Sequence, residues 1–271
     1  MAVHVLLLCA LVLIVAMAGA AVTRIVTGRS GWIDAIWSAA VGVAGVIAAL
    51  GADGGGRGVL VAGLVAVWSG RLALHIAVRT RAEVDDDPRY AALARQWGDA
   101  FVFRLVVFLQ IQAAAGFVLV AAVHLAAATP APFPNGFDAA ATILVVAAVL
   151  GAAIADAQLA RFRRAAPRRA VCDVGLWGWS RHPNYFFEWL GWCALPIFTL
   201  GGATSAPVGL LAVAAPVLMW VLLVHVSGIP PLEAQMLVSR GDAYRAYRAR
   251  VSPFLPLPPR VEAPVSERVD R

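Results

Sequence analysis

Seven apolar runs alternate with short polar segments along the chain. They lie near residues 2–23, 31–50, 58–78, 102–127, 138–160, 185–201 and 205–227. An apolar stretch of about twenty residues is long enough to cross a bilayer as a helix. The first run lacks the basic start of a signal peptide, and Arg24 and Arg29 follow it, which favours a retained helix. The pattern therefore predicts an all-α, polytopic membrane protein with seven transmembrane helices.

Composition excludes several classes of protein. Hydrophobic residues make up 61% of the 271 residues and charged residues 14%, which is unlike a soluble globular protein. The three cysteines have neither CxxC spacing nor a histidine cluster beside them, so no disulfide framework and no metal site are indicated. All 22 basic residues are arginine, which excludes mechanisms that need a lysine. The Gly-rich segment at 51–58 precedes no predicted strand, so a Rossmann or P-loop nucleotide site is not indicated.

The arginines lie mainly in alternate loops, which predicts the orientation of the helices. They occur at 24–29, 79–104, 161–181 and from 240 onward, whereas the loops at 128–137 and 202–204 carry no charge. By the positive-inside rule the N-terminus is outside and the C-terminus is in the cytoplasm. We accordingly expect a multi-pass protein of the inner (plasma) membrane, with no nucleic-acid partner. Residues 1–256 are predicted to form the membrane domain, and the Pro-rich, charged tail at 257–271 is predicted to be disordered.

The segment GLWGWSRHPNYFFEWLGW at 175–192 carries the most polar chemistry. It places Arg181, His182, Asn184 and Glu188 at the mouth of an apolar run, where unpaired polar groups are costly. A helix starting near Pro183 puts Asn184 and Glu188 on one face. An amide and a carboxylate so placed match a carboxamide such as nicotinamide. An interfacial turn with Arg181 extending to the membrane surface is the alternative.

These motifs resemble the bacterial membrane proteins grouped with the steroid 5-alpha-reductases. The resemblance covers the chain from about Gly31 to Pro256, and it includes IDAIW, WSGRLALHIAVR, DPRY, ADAQLARFRR, SRHPNYFFEW, SGIPPLE and YRAYRARVSPFLP. It implies a membrane reductase whose NADPH is held among the C-terminal helices. On this basis the cofactor-binding residues are Asp156, Arg163, Arg181, His182, Asn184, Glu188, Tyr244 and Arg248.

Two of these groups have structural alternatives. The arginines after Asp156 are also typical of a helix end at the interface, and the segment with Tyr244 and Arg248 is also typical of an amphipathic surface helix. If Arg163 and Arg248 meet at the cytoplasmic mouth, their planar guanidinium groups suit the 2′-phosphate that distinguishes NADPH from NADH.

Early helices carry the candidate catalytic residues Asp34, Arg71 and His75. Arg71 and His75 share a helical face inside an apolar run, with Asp34 as a possible partner, although Asp34 also suits a helix start. In the steroid reductases, a Glu and a Tyr from early helices grip the substrate carbonyl. Here Asp34 stands near that Glu, but Trp68 stands near that Tyr, and an indole cannot protonate an oxygen. Tyr90 falls in an Arg-rich loop and is not assigned as the acid.

The sequence therefore favours an NADPH-dependent reductase that acts on an activated carbon–carbon double bond of a steroid-like or other lipid substrate. A membrane methyltransferase of the isoprenylcysteine or phospholipid type is the alternative, because such enzymes also carry RHPxY before an apolar helix; it would use S-adenosylmethionine. Those enzymes usually show two adjacent glutamates late in the chain, where this sequence has only Glu233. A lipid-binding or scaffolding membrane protein is the third hypothesis. The sequence indicates no oligomeric state.

Overall fold

The computed structural model describes residues 2–82, 86, 88–167, 169–202 and 209–260, and these residues are helical with no β-strand. A single isolated bridge pairs Ser180 with Ser252 in this described part. The last eleven residues of the predicted disordered tail, 261–271, lie outside the described residues. The α-helices are α1 Ala2–Thr27, α2 Gly31–Leu50, α3 Gly55–Ala82, α4 Pro88–Trp97, α5 Phe101–Ala127, α6 Gly136–Ala165, α7 Pro183–Trp192, α8 Ala194–Thr199, α9 Ala214–Trp220, α10 Ile229–Arg240 and α11 Asp242–Arg250.

Six helical segments of the described chain are long and apolar enough to cross a membrane, so the protein is a multi-pass membrane protein. They are Ala2–Thr27, Gly31–Leu50, Gly55–Ala82, Leu93–Ala127, Gly136–Ala165 and Leu210–Arg240. The run predicted as a span at 185–201 instead forms two short helices, α7 and α8, which meet at Cys193. Each alone is shorter than the roughly twenty residues that a crossing helix needs.

The chain divides into two compact units, of which the first takes in the described residues of Met1–Val149 and Trp189–Val221. Helices α2 and α3 pack closely and antiparallel within it, because small residues line their contact. A Cβ atom added to Gly42 would lie 1.8 Å from the Ser69 hydroxyl oxygen, and one added to Gly31 would lie 2.2 Å from that of Thr80. Glycine is therefore required at both positions for the two backbones to approach.

A buried arginine joins α3 to the turn before α6 in this unit. Arg57 Nε donates to Asp138 Oδ1 at 2.7 Å, and its other nitrogens donate to Asp138 Oδ2 and to the carbonyls of Thr129, Ala131 and Pro132. Asp138 also accepts from the Asn135 amide at 2.9 Å. A buried charge needs such complete compensation, so this cluster fixes the turn.

The second unit takes in the described residues of Leu150–Glu188 and Leu222–Arg271. Its core includes Tyr244, Tyr247 and Val251, packed against Val171 and Met236. The alternative of a solvated surface helix therefore does not hold for the tyrosines of α11, since Tyr244 and Tyr247 are buried.

A π-helical segment, Val221–Val226, precedes α10. The amide of Ser227 donates to Leu222 O at 2.8 Å, five residues back, which is the π pattern. A Cβ atom on Gly228 would lie 2.4 Å from Leu223 O, so glycine permits this close backbone contact. Pro230 and Pro231 then start α10 without needing amide partners. This irregular turn places Glu233 in the first turns of α10.

Candidate functional site

The polar centre of the second unit is the Glu233 cluster, which we define as Arg181, His182, Glu233, Tyr244 and Arg248. Glu233 Oε1 accepts from Arg181 Nε at 2.7 Å and lies 3.2 Å from His182 Nε2. Its other oxygen lies 3.3 Å from Arg248 Nε, and the Tyr244 hydroxyl lies near enough for the charge of this carboxylate to help raise the tyrosine pKa. One buried carboxylate thus connects side chains from two other segments of the chain.

Local backbone contacts fix the RHP segment at this carboxylate. The Ser180 hydroxyl donates to Phe254 O at 2.8 Å and accepts from the His182 amide at 3.1 Å. The Arg181 amide donates to Ser252 O, and its guanidinium NH1 group donates to Val251 O at 2.6 Å. Arg181 therefore spends most of its donors on protein acceptors, and we interpret it as a positioning residue.

Protonation states follow from burial. Burial lowers the pKa of His182, and the neighbouring Glu233 opposes this effect only in part. Burial, with the nearby charge of Glu233 as a smaller cause, raises the pKa of Tyr244 above its usual range. His182 is thus neutral near pH 7 and Tyr244 keeps its proton, which leaves the arginines as the cations of the cluster.

A pocket of about 80 Å³ adjoins the cluster within the second unit, and we call it the Arg163 pocket. Three arginines line it, from α6, from the RHP segment and from the end of α10, and no carboxylate lines it. Since Glu233 already neutralises part of this charge, the remaining field is positive and suits an anion. The polar lining residues are Arg163, Arg181, His182, Arg240, Tyr244 and Tyr247.

Asp156 and Asn184 meet in the same unit. Asn184 Nδ2 donates to Asp156 Oδ1 at 3.1 Å, so the partly buried carboxylate has an amide partner. Helix α7 begins at Pro183, which confirms that prediction, and the helical spacing puts Asn184 and Glu188 on one face. Glu188 is buried. Asp156 and Arg163 lie two turns apart on one face of α6, which separates them by about 10 Å along the helix axis.

The loop that leads into the RHP segment is anchored on α6. Gly175 has a φ of +61°, and a Cβ atom there would lie 2.7 Å from the Gln158 amide group. Gln158 Oε1 accepts from the Leu176 amide at 2.9 Å, and Trp177 Nε1 donates to Ala155 O at 3.0 Å. These contacts place the residues before Ser180 against the polar end of α6.

The first unit contains a second polar group, formed by Asp34, Tyr90 and Gln112. The Tyr90 hydroxyl donates to Asp34 Oδ1 at 3.1 Å and accepts from Gln112 Nε2 at 3.3 Å. Tyr90 lies in α4 and is buried, a contact that its Arg-rich surroundings in the sequence did not indicate. Asp34 lies in the first turn of α2 without capping it.

Arg71 and His75 lie one turn apart on α3 and are both partly buried. The α2–α3 contacts of Gly31 with Thr80 and of Gly42 with Ser69 set an antiparallel register. That register puts Asp34 within one helical turn of the level of His75. Trp68 is buried and packs edge-on against Trp192, with ring centroids 4.8 Å apart.

The structure brings some of the predicted site residues into contact and adds residues that were not predicted. Asp156, Asn184, Tyr244 and Arg248 were predicted to belong to one cofactor site. Glu233, Arg240 and Tyr90 were not assigned to any site. Glu233 is the only carboxylate of SGIPPLE, and its place in that motif was the available signal. Arg240 and Tyr90 carry no comparable signal in the sequence.

Comparison with known families identifies the chain at the level of a family. It belongs to the family described as "Protein of unknown function (DUF1295)", whose model matches residues 21–251. This is a family of membrane proteins related to the steroid 5-alpha-reductases. No curated protein and no solved structure matches the chain.

Proposed function

We propose that the protein is an NADPH-dependent membrane reductase whose cofactor is bound by the second unit. The observation that carries this proposal is the Arg163 pocket, which is lined by three arginines and no carboxylate. Arginine forks suit phosphate groups because they donate two parallel hydrogen bonds from a planar, permanent cation. S-adenosylmethionine carries a sulfonium cation and no phosphate, so the same pocket suits it less well.

The spacing between Asn184 and Arg163 also fits a dinucleotide. Asn184, held by Asp156, presents an amide that can both donate and accept, as a nicotinamide carboxamide requires. Arg163 lies about 10 Å farther along α6, at the pocket. An elongated ligand with an amide at one end and phosphates at the other matches this spacing. Bound NADPH would supply a hydride to a carbon–carbon double bond conjugated to a carbonyl.

Such a reaction also needs an acid, and the first unit contains a candidate for it. Negative charge develops on the carbonyl oxygen of an enone when its β carbon is reduced, and a positioned donor stabilises it. Tyr90, which Asp34 and Gln112 orient, supplies an O–H that Trp68 lacks. Asp34 then acts as a positioning residue. Arg71 and His75 contribute positive charge and a second proton source on the neighbouring helix.

We also propose seven membrane crossings, with α7 and α8 together forming the crossing that the sequence predicts at 185–201. The amide of Cys193 still donates to Trp189 O at 3.3 Å, so the helical path continues between them. The N-terminus is placed outside and the C-terminus in the cytoplasm of the plasma (inner) membrane. Arg57 lies on the side that this orientation places outside. Asp138 neutralises its charge, so Arg57 does not contradict the positive-inside rule. A cytoplasm-dependent reporter should work after Arg271 and fail before α1; the opposite result would reverse the topology.

Cofactor titration tests the proposed activity. NADPH should raise the unfolding temperature of the purified protein in lipid nanodiscs, and S-adenosylmethionine should not, because a ligand that binds only the native state stabilises it. Asn184→Ala should weaken NADPH binding by about tenfold, the loss of one good polar contact. Asn135→Ala is the matched control, since Asn135 lies in the turn before α6. Stabilisation by S-adenosylmethionine alone would favour the methyltransferase, and stabilisation by neither would favour a lipid-binding protein.

Two neighbouring arginines of α6 test whether the pocket binds the 2′-phosphate of NADPH. Arg163 lines the pocket and Arg164 does not, although both are exposed at the same helix end. Arg163→Gln should lower the preference for NADPH over NADH by about tenfold, mainly through weaker NADPH binding, and Arg164→Gln should leave it unchanged. An equal ratio in both variants would mean that these arginines only set the topology.

A further inference from the structure

A buried serine at the start of α2 joins three segments of the first unit. Ser30 is fully buried, and its amide and its hydroxyl donate to the two Asp86 carboxylate oxygens at 2.6 Å and 3.0 Å. Arg24 Nε donates to the Ser30 hydroxyl oxygen at 2.6 Å, and Arg24 Nη2 pairs with Asp86 Oδ2 at 3.0 Å. Each of these bonds involves a charged group, and such bonds are stronger than neutral ones. We call the three residues the Asp86 anchor.

The Asp86 anchor lies beside the contact between Tyr90 and Asp34. Ser30 precedes Asp34 by four residues, one turn of α2, and Asp86 precedes Tyr90 by four residues. The Tyr90 hydroxyl donates to Asp34 Oδ1 at 3.1 Å. The same two segments are therefore held together at two matching positions, first by the anchor and then by the tyrosine.

Helix α4, which carries Tyr90, depends on such contacts for its position. It has ten residues, and an isolated helix of that length is only marginally stable in water. Its aromatic side chains Tyr90 and Trp97 pack edge-on against Phe108 of α5, with ring centroids 6.3 Å and 6.0 Å apart. Ring packing leaves the direction of the hydroxyl to polar contacts, and the anchor supplies these immediately before α4 begins.

We propose that Asp86 is a positioning residue for Tyr90, and that its bonds to Ser30 and Arg24 keep the Tyr90 hydroxyl at Asp34. The proposal rests on the proposed function only where Tyr90 is taken as the acid. A displacement of an acid by about 1 Å takes its proton out of reach of the reacting atom and can cost two orders of magnitude in rate. The position of Tyr90 can be measured without cofactor or substrate, so the two proposals can fail separately.

Nitration of tyrosines by tetranitromethane in nanodiscs tests the proposal. Mass spectrometry gives the nitration rates of Tyr90 and of Tyr244, which is also buried but belongs to the second unit. Asp86→Ala should raise the rate at Tyr90 by at least about fivefold, because local opening of α4 becomes more frequent, and should leave Tyr244 unchanged. Asp99→Ala is the control, since Asp99 is an exposed acid just after α4, and it should change neither rate.

Two further variants separate the anchor from a general loss of packing. Asp86→Glu keeps a carboxylate and should hold the nitration rate of Tyr90 within about twofold of that of the unmodified protein. Arg24→Gln should raise this rate, and adding Asp86→Ala to it should give less than the product of the two single effects, because both changes break the same set of bonds. An unchanged rate at Tyr90 in Asp86→Ala, or equal increases at Tyr90 and Tyr244, would overturn the proposal.

Discussion

Arg57 in the first unit and Arg181 in the second unit are both buried and both pair with a carboxylate at 2.7 Å. Arg57 makes five hydrogen bonds, two to Asp138 and three to carbonyls of one turn. Its five N–H groups are thereby satisfied within the protein. An arginine so enclosed stabilises the fold and has no donor left for a ligand.

Arg181 differs because its carboxylate is shared. Glu233 also contacts His182, Tyr244 and Arg248, and both Arg181 and His182 line the Arg163 pocket. Burial and a short ion pair are common to the two arginines, so neither feature identifies a functional site. The difference lies in a carboxylate that several segments share beside an open pocket. We expect mutations to separate the two arrangements by their effects on stability and on cofactor binding.

The largest effect on stability should come from Arg57→Ala. It leaves the Asp138 carboxylate buried with only the Asn135 amide and exposes three carbonyls to an empty site. Loss of one partner of a buried pair costs about 3–5 kcal/mol of unfolding free energy. Denaturant unfolding in detergent measures this loss. NADPH affinity of the surviving folded protein should be unchanged, and a coupled loss of affinity would contradict the distinction drawn above.

Glu233→Gln should destabilise the protein less, by about 2 kcal/mol, because Arg181 keeps the Val251 carbonyl and Gln retains an acceptor oxygen. It should also weaken NADPH binding by about tenfold, since Arg181 and His182 lose the charge that positions them at the pocket. Asp138→Asn is the matched change in the first unit. If the two variants bind NADPH equally well, the Glu233 cluster has no more functional role than the Arg57 cluster.

Ser180→Ala should cost about 1–2 kcal/mol. The serine is fully buried, and its hydroxyl both donates to Phe254 O and accepts from the His182 amide. Ser38→Ala is the control, because the buried Ser38 hydroxyl donates only to Asp34 O one turn back on its own helix. Thermal unfolding of both variants gives the comparison. Equal losses would mean that the RHP segment is not held through Ser180.

The helices were largely predictable from the sequence, since hydropathy alone matched the run at 31–50 to α2 and that at 102–127 to α5. The break at Cys193 and the π-helical turn before Gly228 were not predictable. Both depend on backbone contacts rather than on apolar length, as the close approach of Gly228 to Leu223 O illustrates.

The candidate site was predictable only where its residues lie in recognisable motifs. Asp156 and Asn184 are 28 positions apart and were both assigned from their motifs. Arg57 and Asp138 are 81 positions apart, one in the Gly-rich segment at 51–58 and the other at the start of the apolar run at 138–160, and no local pattern pairs them. Tyr90 was not assigned as the acid because it lies in an Arg-rich stretch on the predicted cytoplasmic side, yet tertiary packing buries it against Asp34.

The smallest effect should come from Arg248→Gln. The Arg248 side chain is 41% exposed and lies 3.3 Å from Glu233 Oε2, so its ion pair contributes at most about 1 kcal/mol to stability. Arg248 does not line the Arg163 pocket, and Glu233 engages its Nε. The preference for NADPH over NADH should therefore fall by less than about threefold, compared with tenfold for Arg163→Gln.

Arg245→Gln, which removes an exposed pair with Asp242 on the same helix, is the control and should change neither the stability nor the nucleotide preference. Competitive titration of the two nucleotides measures the ratio. A fall in Arg248→Gln that equals the fall in Arg163→Gln would show that both arginines hold the 2′-phosphate, as their places in the sequence first suggested.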